Sequence, residues 1–245
     1  MNTNTDTAQC QKCGTKFSGE FCATCGNPKT LKRIDGRYVL SEIESVLNFD
    51  KGIFYTIKEL IVRPGKTVHK FINTDRSGLV KPLSFVIICS FLYTIAQQFL
   101  RFEDKYVSAG GLGDSSVGVI FEWILKNYGY TNILMSVFIA GWIKLFFKKY
   151  RYNFFEIVIL LCFVMGIGML YYTAFGLLEV ITNINVLKTG AVLSFIYTAW
   201  AIGQFFNHKK ALSYIKGLVA YVLGMISFYT LAMLLGLAID LVAKR

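Results

Sequence analysis

From residue 82 to residue 240 the chain is apolar in long blocks, separated by short polar and charged gaps. Five blocks approach or exceed the ~20 residues a helix needs to cross a bilayer. They lie at about 82–100, 130–147, 154–178, 187–206 and 215–239. The second is the shortest and holds Lys144, but that lysine sits near the block's end, where its stem can snorkel to the interface. Ahead of it, Val117 to Tyr128 is amphipathic, with Glu122 and Lys126 paired at i,i+4. This stretch is expected to form an external interfacial or re-entrant helix, or to extend the second span.

Upstream of residue 82 the pattern changes to short amphipathic segments. Val39, Leu40, Ile43, Val46 and Leu47 recur at helical spacing, with Glu42 and Glu44 between them. A second helix is expected after Asp50 as N-cap, with an apolar stripe of Ile53, Phe54, Ile57, Leu60 and Ile61. Lys51, Thr56, Lys58 and Glu59 take its other face, and Arg63-Pro64-Gly65 breaks it. A third segment carries Val68, Phe71 and Ile72 on one side and Lys66, His69 and Lys70 on the other. None is long or apolar enough to span. Such helices lie in the interface plane, or pack over the cytoplasmic mouth of the bundle as a lid. His69 reads as an interfacial polar residue rather than a ligand.

The first thirty residues are polar, with no apolar run ahead of a small-residue cleavage site, so no secretory signal is expected. They hold four of the six cysteines, Cys10-x2-Cys13-x8-Cys22-x2-Cys25. Two Cys-x2-Cys turns can each supply two thiolates to a tetrahedral Zn(II). Gly14 and Gly26 follow the second cysteine of each turn, where the chain leaves with positive φ. Ser18-Gly19 suits a short hairpin between the two knuckles, Phe17 and Phe21 a small apolar core, and Pro28 ends the unit. With all four positions filled the zinc is structural and leaves no open catalytic site. A redox Cys-x2-Cys needs a βαβ surround, and a haem site needs His after the second cysteine; neither is present. Cys89 and Cys162 fall inside apolar runs and read as small hydrophobes.

Composition agrees with the apolar blocks: 54% of residues are hydrophobic and mean hydropathy is +0.49. The net charge of +11 invites a nucleic-acid reading, and Lys12, Lys16, Lys29, Lys32 and Arg33 surround the cysteine cluster. Topology offers another cause. With five spans and the N-terminus inside, the inward segments 1–81, 144–156 and 207–216 carry 20 Lys and Arg against 9 acids. The outward segments carry 6 of each. All the positive excess is then cytoplasmic, as the positive-inside rule requires, and a nucleic-acid partner is not expected.

Gln97, Gln98, Glu156, Glu179, Gln204, Lys216 and Asp240 are the polar residues of the membrane part that could carry function, and each falls near a span end. A charge at mid-membrane would mark a functional site by default; none is seen, which weighs against an ion-coupled carrier. Ala199-x3-Gly203, Ala220-x3-Gly224 and Ala232-x3-Gly236 predict close helix contacts. Gly166 and Gly168 are expected to loosen the third span. Tyr171, Tyr172, Tyr197, Tyr214, Tyr221 and Tyr229 suit interfacial belts or bundle packing. No convergent acid, base and nucleophile set is evident.

Several local motifs resemble a bacterial polytopic membrane protein family of unknown function that carries an N-terminal zinc ribbon. They are Cys13-Gly14, Phe21-Cys22-x2-Cys25-Gly26, Lys51-Gly52-Ile53-Phe54-Tyr55-Thr56, Arg63-Pro64-Gly65, Phe71-Ile72, Arg76 and Lys81-Pro82. Thr74 stands where that family favours glycine. The resemblance implies an integral protein of the bacterial inner membrane and transfers no catalytic residue. The expected architecture is a zinc ribbon over 1–30, amphipathic neck helices over 31–81, and an all-α bundle over 82–245. The leading functional expectation is a non-enzymatic adaptor or scaffold that docks a protein partner through the ribbon. A lipid or small-solute transporter gated by the neck is the alternative. Besides the bilayer and that protein partner, a homo-oligomer is left open.

Overall fold

The computed structural model describes residues 7–30, 35–36, 52–102 and 115–243. The helix expected over Val39–Leu47 and the expected N-cap Asp50 lie outside these residues. The described chain is mostly helical, with one small two-stranded sheet at its start.

Strands β1 (Thr7–Gln9) and β2 (Lys16–Ser18) pair antiparallel, with Thr7 opposite Ser18 and Gln9 opposite Lys16. This hairpin therefore encloses the first knuckle instead of lying between the two. The second knuckle is closed by a single bridge between Phe21 and Pro28. Phe17 is buried against the cysteines, whereas Phe21 is 64% exposed. The expected two-residue core is thus one residue, because the bridge at Phe21 turns its ring outward.

Helices α1 (Ile53–Val62) and α2 (Pro64–Asn73) follow, hinged at Arg63. Five longer helices are each long and apolar enough to cross a membrane: α3 (Pro82–Leu100), α5 (Tyr128–Phe146), α6 (Phe154–Thr182), α7 (Leu187–Asn207) and α8 (Ala211–Ala243). Helix α4 (Ser116–Lys126) is separate from α5, because the chain breaks at Asn127 (φ −114°, ψ 38°). It lies along α8 and does not extend the second span.

Helix α6 is the hub. Of its most apolar 18-residue window, 72% is buried inside the molecule, against 17% for α8. Helices α3, α5 and α7 surround α6, and α8 closes the outside against α5 and α7. Small residues set these approaches. A Cβ added to Gly224 would stand 2.5 Å from Ile139 Cα, and one on Gly236 would stand 2.7 Å from Val117 Cα. Gly166 does not loosen α6: a Cβ there would meet the Phe85 ring at 2.6 Å, so this glycine lets α3 approach the hub. Ser194 Oγ approaches Gly168 in the same way from α7. Tyr171, Tyr172, Tyr197, Tyr221 and Tyr229 pair with rings inside the bundle, as in Tyr171–Tyr197 at 5.4 Å and Phe195–Tyr221 at 5.3 Å, whereas the Tyr214 hydroxyl donates to His208 O at 3.1 Å.

The neck packs into one end of this bundle. Val68, Phe71 and Ile72 of α2 are buried, and Phe71 meets Phe163 of α6 at 5.4 Å. Helix α2 thus rests against α6 and α7. Helix α1 is rotated from its expected stripe. Leu60 and Thr56 face inward with Ile53 and Ile57, while Phe54 is 84% exposed and Ile61 is also exposed. The rotation satisfies a backbone donor, since the Val80 N–H reaches Thr56 Oγ1 at 3.0 Å. A buried N–H left unpaired would cost about 1–3 kcal/mol.

Candidate metal centre and its seat on the neck

The four N-terminal sulfurs all lie within 4.8 Å of one another. Two separations are 3.5 Å (Cys10–Cys25) and 3.6 Å (Cys13–Cys22). A thiolate tetrahedron with metal–sulfur bonds of about 2.3 Å has edges of about 3.8 Å, so the donor set fits. Disulfide bonding would require about 2.05 Å. This cluster can hold a metal ion.

The two knuckles repeat one backbone pattern. The Cys10 N–H donates to Thr15 O at 2.9 Å and the Cys22 N–H to Asn27 O at 2.8 Å. The Gly14 and Gly26 N–H groups return to Cys10 O and Cys22 O at 2.9 and 2.8 Å. Gly14 (φ 75°) and Gly26 (φ 69°) take the left-handed conformation that this closure needs. Without an ion the sulfurs compete for protons. Hydrogen bonding with the Thr15 side chain, and then its N–H, brings the Cys13 thiol down to about 6. The Asn27 N–H lowers Cys25, but burial and the neighbouring sulfurs outweigh it and push that thiol up to about 12. A divalent cation relieves the competition by taking all four as thiolates.

The ribbon is seated on the turn between α2 and α3. Lys12, inside the first knuckle, places Nζ 3.1 Å from Asp75 Oδ2 and donates to Ser77 Oγ at 2.6 Å. The Ser77 hydroxyl and N–H donate to Asp75 Oδ1 at 2.6 and 2.9 Å. From the second knuckle, Asn27 Nδ2 donates to Thr74 O at 3.3 Å. The Asp75 side chain is 4% exposed and that of Lys12 30%. Burial raises the Asp75 carboxyl, but Ser77 and then Lys12 outweigh it and hold it below the usual 3.8. A cleft of about 50 Å³ lies beside the seat, lined by residues that include Tyr55, Glu59, Lys70 and Asp75. Thr74 has φ −128°, so this turn requires no glycine there.

The turn is itself tied to the bundle through α2. Pro64 fits the first helical turn, where its missing N–H removes no bond. The side-chain oxygen of Gln204, on α7, accepts from the Gly65 N–H at 2.8 Å and the Lys66 N–H at 3.3 Å. A Cβ on Gly65 would collide with the Phe205 backbone nitrogen. Tyr197 adds a bond from its hydroxyl to Leu60 O at 3.1 Å. Thus Arg63-Pro64-Gly65 both breaks the helix and forms the contact with α7.

The other candidate polar residues close helix ends. Glu156 and Asn153 form a reciprocal capping box at the start of α6, with bonds of 2.7 and 2.8 Å. Glu179 accepts from the Leu187 N–H at 2.9 Å, at the first residue of α7. Asp240 accepts from the Ser116 N–H at 2.9 Å, at the start of α4. Glu122 pairs with Lys126 at 2.6 Å. All four acids of residues 115–243 therefore have local structural partners, and they do not converge. His69 stands outside the metal cluster, near the rings of Phe205 (6.0 Å) and Tyr152 (6.4 Å), and burial lowers its pKa.

Sequence reasoning found the four cysteines and missed the seat. Asp75-Arg76-Ser77-Gly78 reads locally as an Asx turn, but nothing in it indicates that a lysine 63 positions earlier will bind there.

A family model described as "Protein of unknown function (DUF3667)" matches residues 50–94. That stretch contains α1, α2, the seat and the first part of α3, and stops short of the cysteine cluster. The chain is similar there to a family without an assigned activity. No curated protein and no solved structure matches the chain.

Proposed function

We propose that this is a multi-pass protein of the bacterial cytoplasmic membrane that acts as a non-enzymatic adaptor. Its N-terminus faces the cytosol and its C-terminus the outside. Cys10, Cys13, Cys22 and Cys25 hold a structural Zn(II), and the ribbon so formed docks a protein partner. One observation carries this reading: both knuckles bond to the turn at Thr74–Ser77, and α2 joins that turn to the bundle through Gln204. A partner held by the ribbon is then fixed relative to the spans. Four thiolates leave the metal no open position for chemistry. The exposed Phe21 ring offers the ribbon an apolar contact.

The test is in-cell crosslinking and affinity capture of intact protein against a Cys10→Ser/Cys13→Ser variant at matched membrane abundance. A defined partner lost with the ribbon supports the adaptor. An unchanged partner set, together with an unchanged phenotype on deleting residues 1–30, overturns it. The same capture reports a second copy of the chain or nucleic acid.

A second reading, a transporter of lipid or small solute, draws support from α2 packing across the end of the bundle. Gln204→Ala should then change flux in reconstituted vesicles, whereas an adaptor carries no flux to change.

A further inference from the structure

We infer that Asp75 and Ser77 are outer partners of the metal centre, so that metal retention in the ribbon and order in the neck are linked. The inference rests on the four thiols binding a metal. It is independent of what the ribbon docks.

Lys12 lies between two of the thiols, and its ammonium ends on Asp75 and Ser77. Asn27 closes the second knuckle through its carbonyl while its side chain holds Thr74 O. Each knuckle therefore sends one donor to the same turn, and each donor's backbone position is set by the loop that folds around the ion. When the ion leaves, the loops lose their cross-link and the two donors need no longer point together. The nearly buried Asp75 carboxylate then keeps its Ser77 bonds but loses its cation. Binding linkage is reciprocal, so whatever the ion does to the seat, the seat does to the ion.

Direction separates this linkage from simple electrostatics. Release of Zn(II) returns protons to the thiols and takes the site from a formal −2 toward neutral, so deleting the Asp75 charge would by Coulomb's law help retain the metal. Solvent screening weakens that effect at the ribbon's exposed surface. Linkage through the loops predicts the opposite sign.

The experiment uses the full chain in detergent, loaded with Zn(II), with release into a chromogenic chelator followed over time. Stoichiometric binding of one ion is checked first. If the intact protein and Cys10→Ser/Cys13→Ser bind equally, the metal reading itself is overturned. Given binding, Asp75→Asn should release the ion about 10-fold faster, toward the lower end of the roughly 5–150-fold range of coupled sites. Lys12→Asp/Asp75→Lys, which reverses the pair, should restore part of the loss. Hydrogen exchange over residues 74–79 should rise when the metal is stripped, and in Asp75→Asn it should already be raised with metal bound. Unchanged or slower release, or exchange at 74–79 that ignores the metal, overturns the inference.

Discussion

Gly26 and Gly65 show two different reasons for glycine, and each makes a prediction. Gly26 has φ 69° with open space around its missing side chain, so alanine there meets only backbone strain. That strain is about 1–2 kcal/mol. Gly26→Ala should therefore weaken metal binding by roughly 10-fold, since 1.4 kcal/mol corresponds to that factor, as measured by chelator competition. Gly65 has the reverse problem. A Cβ there would lie 2.5 Å from the Gln204 carbonyl carbon, and backbone cannot rotate away. Gly65→Ala should lower the thermal unfolding temperature in detergent far more than Gly141→Ala, where a Cβ meets nothing within 4 Å. The first glycine was legible, because a Cys-x2-Cys-Gly turn is closed by chemistry within six residues. The second was legible only as a helix breaker. Its close contact lies with a helix 139 positions away, and no local pattern shows which backbone comes near.

Among the elements, the long helices were legible because length and apolar continuity decide them locally. The fifth begins at Ala211, four residues before the apolar block at 215, since Leu212 and Tyr214 extend the same helix across a polar start. Helix α1 was harder. Its apolar count predicts a stripe through Phe54 and Ile61, but one polar contact, Thr56 to the Val80 N–H, sets the rotation instead. Helix ends carry the clearest energetic consequences. The Gln204 oxygen serves two N–H groups at the start of α2, and removing it leaves them without that acceptor at a half-buried site. Gln204→Ala should cost about 1–2 kcal/mol and raise hydrogen exchange over Pro64–Asn73 before the rest of the bundle. Glu179 works similarly for α7, with its charge at the favourable end of the helix dipole. Glu179→Ala should cost about 0.5–2 kcal/mol in thermal unfolding, while Glu179→Gln, which keeps an acceptor, should cost less.

For the whole molecule, the number of spans and the placement of charge together determine orientation. If all five helices long and apolar enough to cross do so, the two ends of the described chain fall on opposite sides. The inward segments of the N-in arrangement carry 20 of the 26 Lys and Arg, and 9 of the 15 acids. The bias does not come from the neck alone, since Lys144, Lys148, Lys149 and Arg151 lie around the α5–α6 connection and Lys209, Lys210 and Lys216 around the α7–α8 connection. Short loops of this kind govern insertion. A reporter active only in the cytosol should thus give signal when fused ahead of Cys10 and none when fused after Val242. A reporter active only outside should give the converse. The geometry of the seat adds a stricter requirement. Since α2 packs on α7 near Gln204, the α7–α8 connection must share a side with the ribbon, and a membrane-impermeant label should spare a cysteine placed at Lys210 in intact cells. Labelling there would overturn the N-in orientation or, if the cytosolic reporter still places the ribbon inside, the link from ribbon to bundle on which the adaptor reading depends. Signal from the cytosolic reporter at both ends would instead require an even number of crossings.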